Sequence, residues 1–338
     1  MTAPKADARY VVGVDLGGTN LRAAVIDINA RKLSDFRGPS DAKRGQSVVR
    51  ERVASAVQAA IKEAGIAAAD VKAVGMAVPG HIEPRTGVIL WSPNFGEIVN
   101  GQLQIFLDVP FCGPLSEALG VPCFAGNDAN IAALGEFQYG AGRNVEDMVM
   151  FTLGTGIGGG VISNGRLVTG STGGAVEIGH QVIVAGGRQC GCGTFGCMEA
   201  FCGTAAILER AHRLLEQSNK PSMLFDRIQG DKTTLTPKMI DQAAEAGDEI
   251  ALQVWEETGY YLGIGIANAV NLFNPAIVAI GGGIRKATGL LAAAERSMRR
   301  HTIYSLAHTC QIVEAELGED AGLLGAAALA WQHVDAAN

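Results

Sequence analysis

The sequence predicts an α/β fold made of two topologically related domains. A hairpin turned on glycines near residue 10 recurs near residue 148, and each is followed by strand-like apolar runs alternating with segments of helical period. At 338 residues, 48% apolar and 18% charged, the chain is long enough to bury two cores of ordinary size.

The first apolar run, Tyr10 to Asp15, reads as a buried strand; LGGTN turns, and Leu21 to Ile28 reads as a second strand. Two strands around a glycine turn make a hairpin, unlike the strand-to-helix turn of a P-loop or a dinucleotide fold. From Ser47 to Ala64 the apolar residues Val49, Val53, Ala56, Val57, Ala60, Ile61 and Ala64 keep helical spacing, and Gly65 is a stop. VKAVGMAVPG (71–80) reads as a strand ending in a Pro-Gly turn. A short helix from Pro114 and the strand VPCFAG lead to NDAN (127–130), which opens a helix reaching about Tyr139.

The second hairpin runs from Met148 to Leu153, through the loop LGTGIGGG, to Gly160–Ser163. An Asn164-Gly165 turn, a strong hairpin signal, then leads to Arg166–Val168. Helical patterns follow at 204–216, 248–273 and 286–299, with a strand at 276–283. A last helix over 320–335 is Ala/Leu-rich on most faces and so is expected to be buried. The polar segment 217–236 is expected to be an irregular surface excursion.

Composition narrows the function. A net charge of −7 argues against nucleic acid as a partner. The longest apolar stretches fall well short of about 20 residues, so no membrane span is expected. The opening MTAPKADARYVVGVD lacks the cationic and apolar regions of a secretory signal, which places the chain in the cytoplasm as an expectation. The 45 glycines are clustered at 15–20, 153–160, 171–174 and 281–284, as backbone that turns sharply or approaches a ligand would require. The seven cysteines are an odd number, and three of them lie between Cys190 and Cys197, a pattern that favours metal ligation over a disulfide framework.

In DLGGTN, Asp15 at a strand end precedes Gly17, Gly18, Thr19 and Asn20. Exposed N–H groups of such a turn form an anion-binding concavity, and the adjacent carboxylate can order a Mg²⁺ shell. Gly154, Thr155 and Gly156 offer the same backbone chemistry in the second domain, and the two loops together point to a nucleotide held in a cleft. GGGI at 281–284, with Gly282 and Gly283, allows close approach of an adenosine moiety. Asn127 and Asp128 at a strand-to-helix junction suit either helix capping or, for Asp128, acceptance of a hydroxyl proton during phosphoryl transfer.

His180, Cys190, Cys192 and Cys197 form H-x9-C-x-C-x4-C within a glycine-rich loop. Three thiolates and an imidazole make a closed tetrahedral Zn²⁺ site, structural because no coordination position is left open. Cys202 is an alternative ligand. Cys112, Cys123 and Cys310 sit in apolar surroundings as core thiols. Glu177 and Glu199 flank the loop, where the metal would hold two carboxylates near one spot, a set suited to recognising several hydroxyl groups.

With these segments in order, the sequence resembles the ROK family (repressor, open reading frame, kinase), and within it the bacterial ATP-dependent glucokinases. The matching pieces are DLGGTN (15–20), VPG (78–80), GNDAN (126–130), LGTGIGGG (153–160), EIGH (177–180), CGCGTFGCMEA (190–200) and IGGGI (280–284), spread over essentially the whole chain. The resemblance implies an actin-like ATPase (ribonuclease H-like) fold of two α/β domains flanking a cleft. The small one, 1–125, would be completed by the C-terminal helix, 319–338; the large one, 126–318, would carry the zinc loop. It also implies phosphorylation of the 6-hydroxyl of glucose by ATP, with Mg²⁺ and a structural Zn²⁺, in a homodimer or homotetramer.

Carried over by position, Asp128 is the general base. Asn94, Asn127, Asp128, Glu177, His180, Glu199 and Gly80 are sugar contacts, with His180 serving zinc through one ring nitrogen and sugar through the other. Asp15, Gly17, Gly18, Thr19, Asn20, Gly154, Thr155 and Gly156 line the phosphates, and Gly282 and Gly283 the adenosine. Cys202 departs from the small residue expected there. Family repressors carry a winged-helix domain before the first strand, and a first strand at Tyr10 leaves no room for one. Kinases of fructose, N-acetylmannosamine or N-acetylglucosamine, and polyphosphate as donor, remain the alternatives within the family.

Overall fold

The computed structural model of the protein describes residues 10–228 and 230–336. Residues 1–9 and 337–338 of the expected first domain, and Gln229 of the expected excursion, lie outside the described residues. The chain divides into two compact units: Met1–Arg143 with Leu167–Val176 and Glu316–Asn338, and Asn144–Arg166 with Glu177–Ala315.

The first unit contains β1 (Tyr10–Leu16), β2 (Asn20–Asp27), β3 (Phe36–Pro39), α1 (Gln46–Ala64), β4 (Val71–Val78), β5 (His81–Ile82), β6 (Val88–Val99), β7 (Gln102–Pro110), α2 (Cys112–Leu119), β8 (Cys123–Asn127) and α3 (Asp128–Tyr139). Its main sheet has the order β3-β2-β1-β4-β8. β1 pairs antiparallel with β2 and parallel with β4, and β4 runs parallel to β8. Both faces of this sheet are covered, so β1 reads as a continuous apolar run. Val12, Val14 and Val25 pack with Val49, Val53 and Val57 of α1. On the other face Val11, Ala24 and Ala73 pack with Leu323, Ala327 and Trp331.

The second unit contains β9 (Met148–Leu153), β10 (Ile157–Ser163), β11 (Arg166–Leu167), α4 (Glu199–Cys202), α5 (Thr204–Gln217), α6 (Met223–Ile228), α7 (Pro237–Glu245), α8 (Glu249–Phe273), β12 (Ile277–Gly281), α9 (Leu290–His301) and β13 (Gln311–Glu314). Its sheet, β11-β10-β9-β12-β13, repeats the first in order and sense: β9 pairs antiparallel with β10 and parallel with β12. α10 (Ala321–Ala336) then returns to the first unit.

The division between the units falls after Arg143 rather than at residue 125, because α3 belongs with the first sheet. α10 lies backbone to backbone on its neighbours. A Cβ added at Gly75 of β4 would stand 1.8 Å from the Ala326 carbonyl oxygen, and one at Gly325 of α10 1.8 Å from that of Ile131 in α3. Such contact leaves α3 and α10 a single layer.

Other expectations change as well. Residues 81–110, left without structure by the sequence reading, form the three-stranded antiparallel sheet β5-β6-β7. The excursion at 217–236 holds helix α6 and buries Leu224, Ile228 and Leu235, three apolar residues spaced too widely to stand out in a polar segment. α9 starts at Leu290 rather than 286, since Gly289 at φ +79° cannot continue a helix. Gly158, Gly159 and Gly160 lie inside β10 rather than in the loop, and a Cβ at Gly159 would meet the Met150 carbonyl oxygen at 2.1 Å. Among the described residues no helix is long and apolar enough to cross a membrane.

Candidate active site

In the first unit the turn between β1 and β2 closes through the Gly17 amide, which donates to the Asn20 carbonyl at 2.8 Å. Gly18, Thr19 and Asn20 are exposed there. Asn94 of β6 comes beside the turn: a Cβ at Gly18 would lie 3.7 Å from the Asn94 Cβ. Asp15, at the end of β1, is half-buried and faces the first turn of α10, with its carboxyl oxygens 3.1 and 3.2 Å from a Cβ built at Gly322. Among the described residues no hydrogen-bond donor reaches it. Burial, and then the charge of Asp128, hold its pKa above the ordinary carboxylate range, against a lowering by Arg22. Two nearby carboxylates, one lacking a donor, are the ligand chemistry that a hard divalent cation satisfies.

Asn127 and Asp128 sit where β8 passes into α3. The Asn127 side chain caps the helix, accepting from the amides of Ala129 and Asn130 at 3.1 Å each, and its Nδ2 donates to the Gly80 carbonyl at 3.0 Å. Gly80, at φ +116°, backs onto the Trp91 carbonyl, which leaves no space for a side chain. Capping therefore belongs to Asn127. Asp128 Oδ1 accepts from the Ala129 amide at 2.8 Å, and among the described residues no hydrogen bond from another residue reaches Oδ2. Burial pushes the Asp128 carboxyl above the usual range, against the lowering effects of the Ala129 amide and of its own amide.

In the second unit the turn after β9 closes with the Gly154 amide donating to the Gly156 carbonyl at 3.0 Å. Glu199, at the start of α4, reaches into this turn: its Oε2 accepts the Ile157 amide at 2.9 Å. Thr204, at the start of α5, donates its hydroxyl to the Gly154 carbonyl at 2.8 Å. Gly282, at φ +87°, presses on the same strand end, so that a Cβ there would stand 2.0 Å from the Leu153 carbonyl oxygen. A Cβ at Gly283 beside it would meet nothing within 4 Å. One surface thus brings together Gly154, Thr155, Gly156, Gly282 and Gly283.

The ligand atoms of His180, Cys190, Cys192 and Cys197 all lie within 4.8 Å of one another. Cys192 and Cys197 Sγ are 3.7 Å apart, and Cys190 Sγ is 3.7 Å from His180 Nδ1. A regular tetrahedron with Zn–S bonds of about 2.3 Å has edges of roughly 3.7 Å, so the four donors fit zinc. Cys190 is pushed up to about 12 by burial, and Cys192 is drawn down to about 6 by the Thr194 hydroxyl. Because Nδ1 faces the thiols, Nε2 of His180 is the nitrogen left for another partner. Glu199 Oε1 lies 3.6 Å from Cys190 Sγ, which places that carboxylate beside the cluster as well as in the turn. Cys202 is outside the cluster; it is buried and directs its thiol to the Thr258 carbonyl at 3.6 Å.

The sequence reading missed Thr204, Thr194 and the bond from Glu199 to the glycine turn. A Gly-Thr pair opening a helix was the signal for Thr204; nothing local marked the other two.

Two five-stranded sheets of like order and sense, each with a glycine turn in its leading hairpin, form the actin-like ATPase fold. The ROK family model matches residues 11–333, and the chain belongs to the ROK family. A glucokinase of Halalkalibacterium halodurans is 35% identical over 320 residues, 94% of this chain and 93% of the relative. The crystal structure of a ROK family glucokinase from Streptomyces griseus in complex with glucose and AMPPNP superposes with a TM-score of 0.76 at 32% identity, covering 96% of this chain and 99% of that one. The N-acetylglucosamine repressor of Escherichia coli O157:H7 is 32% identical over 321 residues, 95% of this chain and 75% of the repressor.

Proposed function

We propose that the protein is an ATP-dependent glucokinase that transfers the γ-phosphoryl group of ATP to the 6-hydroxyl of glucose. The observation that carries this reading is the likeness to a glucose- and AMPPNP-bound glucokinase, which runs through both units rather than through one of them. The sugar oxygen attacks the γ-phosphorus as the bond to the ADP oxygen breaks. The hydroxyl proton passes to Oδ2 of Asp128, the carboxyl oxygen not spent on the helix amide. Its raised pKa brings it nearer the value at which a carboxylate is an effective base.

Such a transfer needs positioning and charge neutralisation more than covalent help. The amides of the two glycine turns hold phosphate oxygens, and Gly282 and Gly283 leave room for the adenosine. Mg²⁺, which Asp15 would hold through ordered ligands, supplies positive charge on the phosphates. His180, Cys190, Cys192 and Cys197 would hold a structural zinc, which would fix the loop from which Glu177, His180 Nε2 and Glu199 address sugar hydroxyls; Asn94 and Asn127 are the candidate sugar contacts of the first unit. The protein works in the cytoplasm as a homo-oligomer.

The test is kcat/KM, measured by ADP release at saturating Mg-ATP, for glucose, mannose, fructose, N-acetylglucosamine and N-acetylmannosamine. Glucose is expected to lead. A site lined by strong acceptors rejects a sugar that leaves one unpaired by about tenfold to a hundredfold. A lead of more than about tenfold by fructose or an acetamido sugar would replace the substrate while leaving the kinase mechanism in place.

A further inference from the structure

The segment Leu167–Val176 packs with the first unit, although the chain up to Arg166 and again from Glu177 belongs to the second. His81 Nε2 lies 2.9 Å from the Thr172 carbonyl oxygen. A carbonyl only accepts, so Nε2 carries the proton and donates. The same ring abuts Gly174, where a Cβ would come within 2.8 Å of Nε2. Gly173, at φ +86°, backs onto the Ile82 carbonyl, 2.1 Å from any added Cβ. The Ala175 amide closes the loop on the Thr169 carbonyl at 3.1 Å.

Val176 ends this loop at φ +67°. A β-branched side chain is strained in that region, and such a residue persists only where its surroundings over-determine it. The next residue is Glu177. Its carbonyl accepts the His180 amide at 2.9 Å, so one short turn carries both Glu177 and His180.

We infer that His81 and Val176 are positioning residues for sugar recognition: His81 pins the 169–176 loop to β5, and the left-handed turn at Val176 presets Glu177 and His180 before sugar arrives. The inference rests on the reading of Glu177 and His180 as sugar contacts. Preorganisation of this kind acts on affinity for the sugar and leaves the nucleotide side alone.

The test compares Glu177→Gln, His81→Ala, His81→Gln and Val176→Gly by sugar KM, ATP KM, kcat and melting temperature. Glu177→Gln is expected to raise sugar KM about tenfold or more. His81→Ala is expected to raise it about tenfold with ATP KM unchanged within about twofold. His81→Gln, whose amide can still donate to the Thr172 carbonyl, recovers most of the loss. Val176→Gly relieves the strain and frees the turn, so melting temperature holds or rises while sugar KM rises roughly threefold to tenfold. Opposite movement of stability and sugar affinity is a result that a purely structural residue would not produce.

A large effect of Glu177→Gln, with sugar KM in both His81→Ala and Val176→Gly within about twofold of wild type, overturns the positioning role and leaves the sugar site standing. An unmoved sugar KM in Glu177→Gln overturns the sugar-site reading and the inference with it. Should His81→Ala fail to fold, Val176→Gly decides alone.

Discussion

The hairpin turns of the two units occupy equivalent places in sheets of the same order, yet they are furnished differently. In the first, the strand itself brings a carboxylate: Asp15 stands one residue before the end of β1, paired across the hairpin with Arg22. In the second, the matching position of β9 is Thr152, paired with Gly158, and the carboxylate arrives from elsewhere as Glu199, tethered to the Ile157 amide and lying 3.6 Å from Cys190 Sγ. The backbone of such a hairpin offers N–H groups for an anion in either case; the side chain beside it decides what else the turn can do. One turn carries a carboxylate of its own, suited to a cation, and the other is braced by a carboxylate from beside the Cys/His cluster.

The largest effect expected from breaking this division is that of Asp128→Asn. It removes the base, so turnover falls by about 10²- to 10⁴-fold with sugar KM little changed. Near-normal turnover would sink the catalytic assignment. Because the native pKa of Asp128 is raised, its charge opposes folding: stability is fullest below the unfolded value of about 3.9 and is lost as pH rises through the raised one. The Asn variant is therefore expected to melt no lower than wild type at pH 7. The acid limb of kcat is expected above the range of an exposed aspartate.

The second unit's bracing is tested by its metal. Purified protein is expected to contain close to one zinc per chain, and Cys192→Ser to lose it and raise sugar KM about tenfold or more. Turnover is expected to require Mg²⁺ separately. A full-strength enzyme without zinc would refute the structural role.

A stability change of intermediate size sharpens the place of α10. Gly325→Ala forces a Cβ into the Ile131 carbonyl and is expected to cost about 1–3 kcal/mol in urea unfolding. Gly283→Ala, with open space around it, is expected to cost less than about 0.5 kcal/mol while weakening ATP.

The smallest effect lies in the network of Arg22 with Asp35 and Asp320. Arg22 donates to Asp35 Oδ2 at 2.8 Å and to Asp320 Oδ1 at 2.9 Å, and Lys32 adds a bond to Asp320 at 2.7 Å. Burial alone would raise both carboxyls, but these partners hold them below the usual range. Here the sign is the reverse of Asp128: the stabilisation is present above about pH 3.9 and is lost as pH falls through the lowered values. Each carboxylate is about one-third exposed, so Asp320→Asn is expected to cost about 1 kcal/mol or less at pH 7, with the difference from wild type vanishing in acid.

Local chemistry alone determined a good part of this protein. Both hairpins, the helices at Gln46–Ala64 and Glu249–Phe273, and the Asn-Gly turn follow from period and turn residues within a short window. The four metal donors stood out because ligand spacing in a loop is itself a local property. Tertiary structure decided the rest. The sheet at 81–110 has pairings that no short window contains, and α3 joins the first unit only because glycines on α10 let two backbones touch. Between Asn127 and Asp128, adjacent and alike in the sequence, only the folded geometry assigns the cap to one and a free oxygen to the other. The same holds for Val176: its residue type argues against a left-handed turn, and the loop that ends on it is held at Thr172, Gly173 and Gly174 by His81 and Ile82, some 90 residues away in the chain.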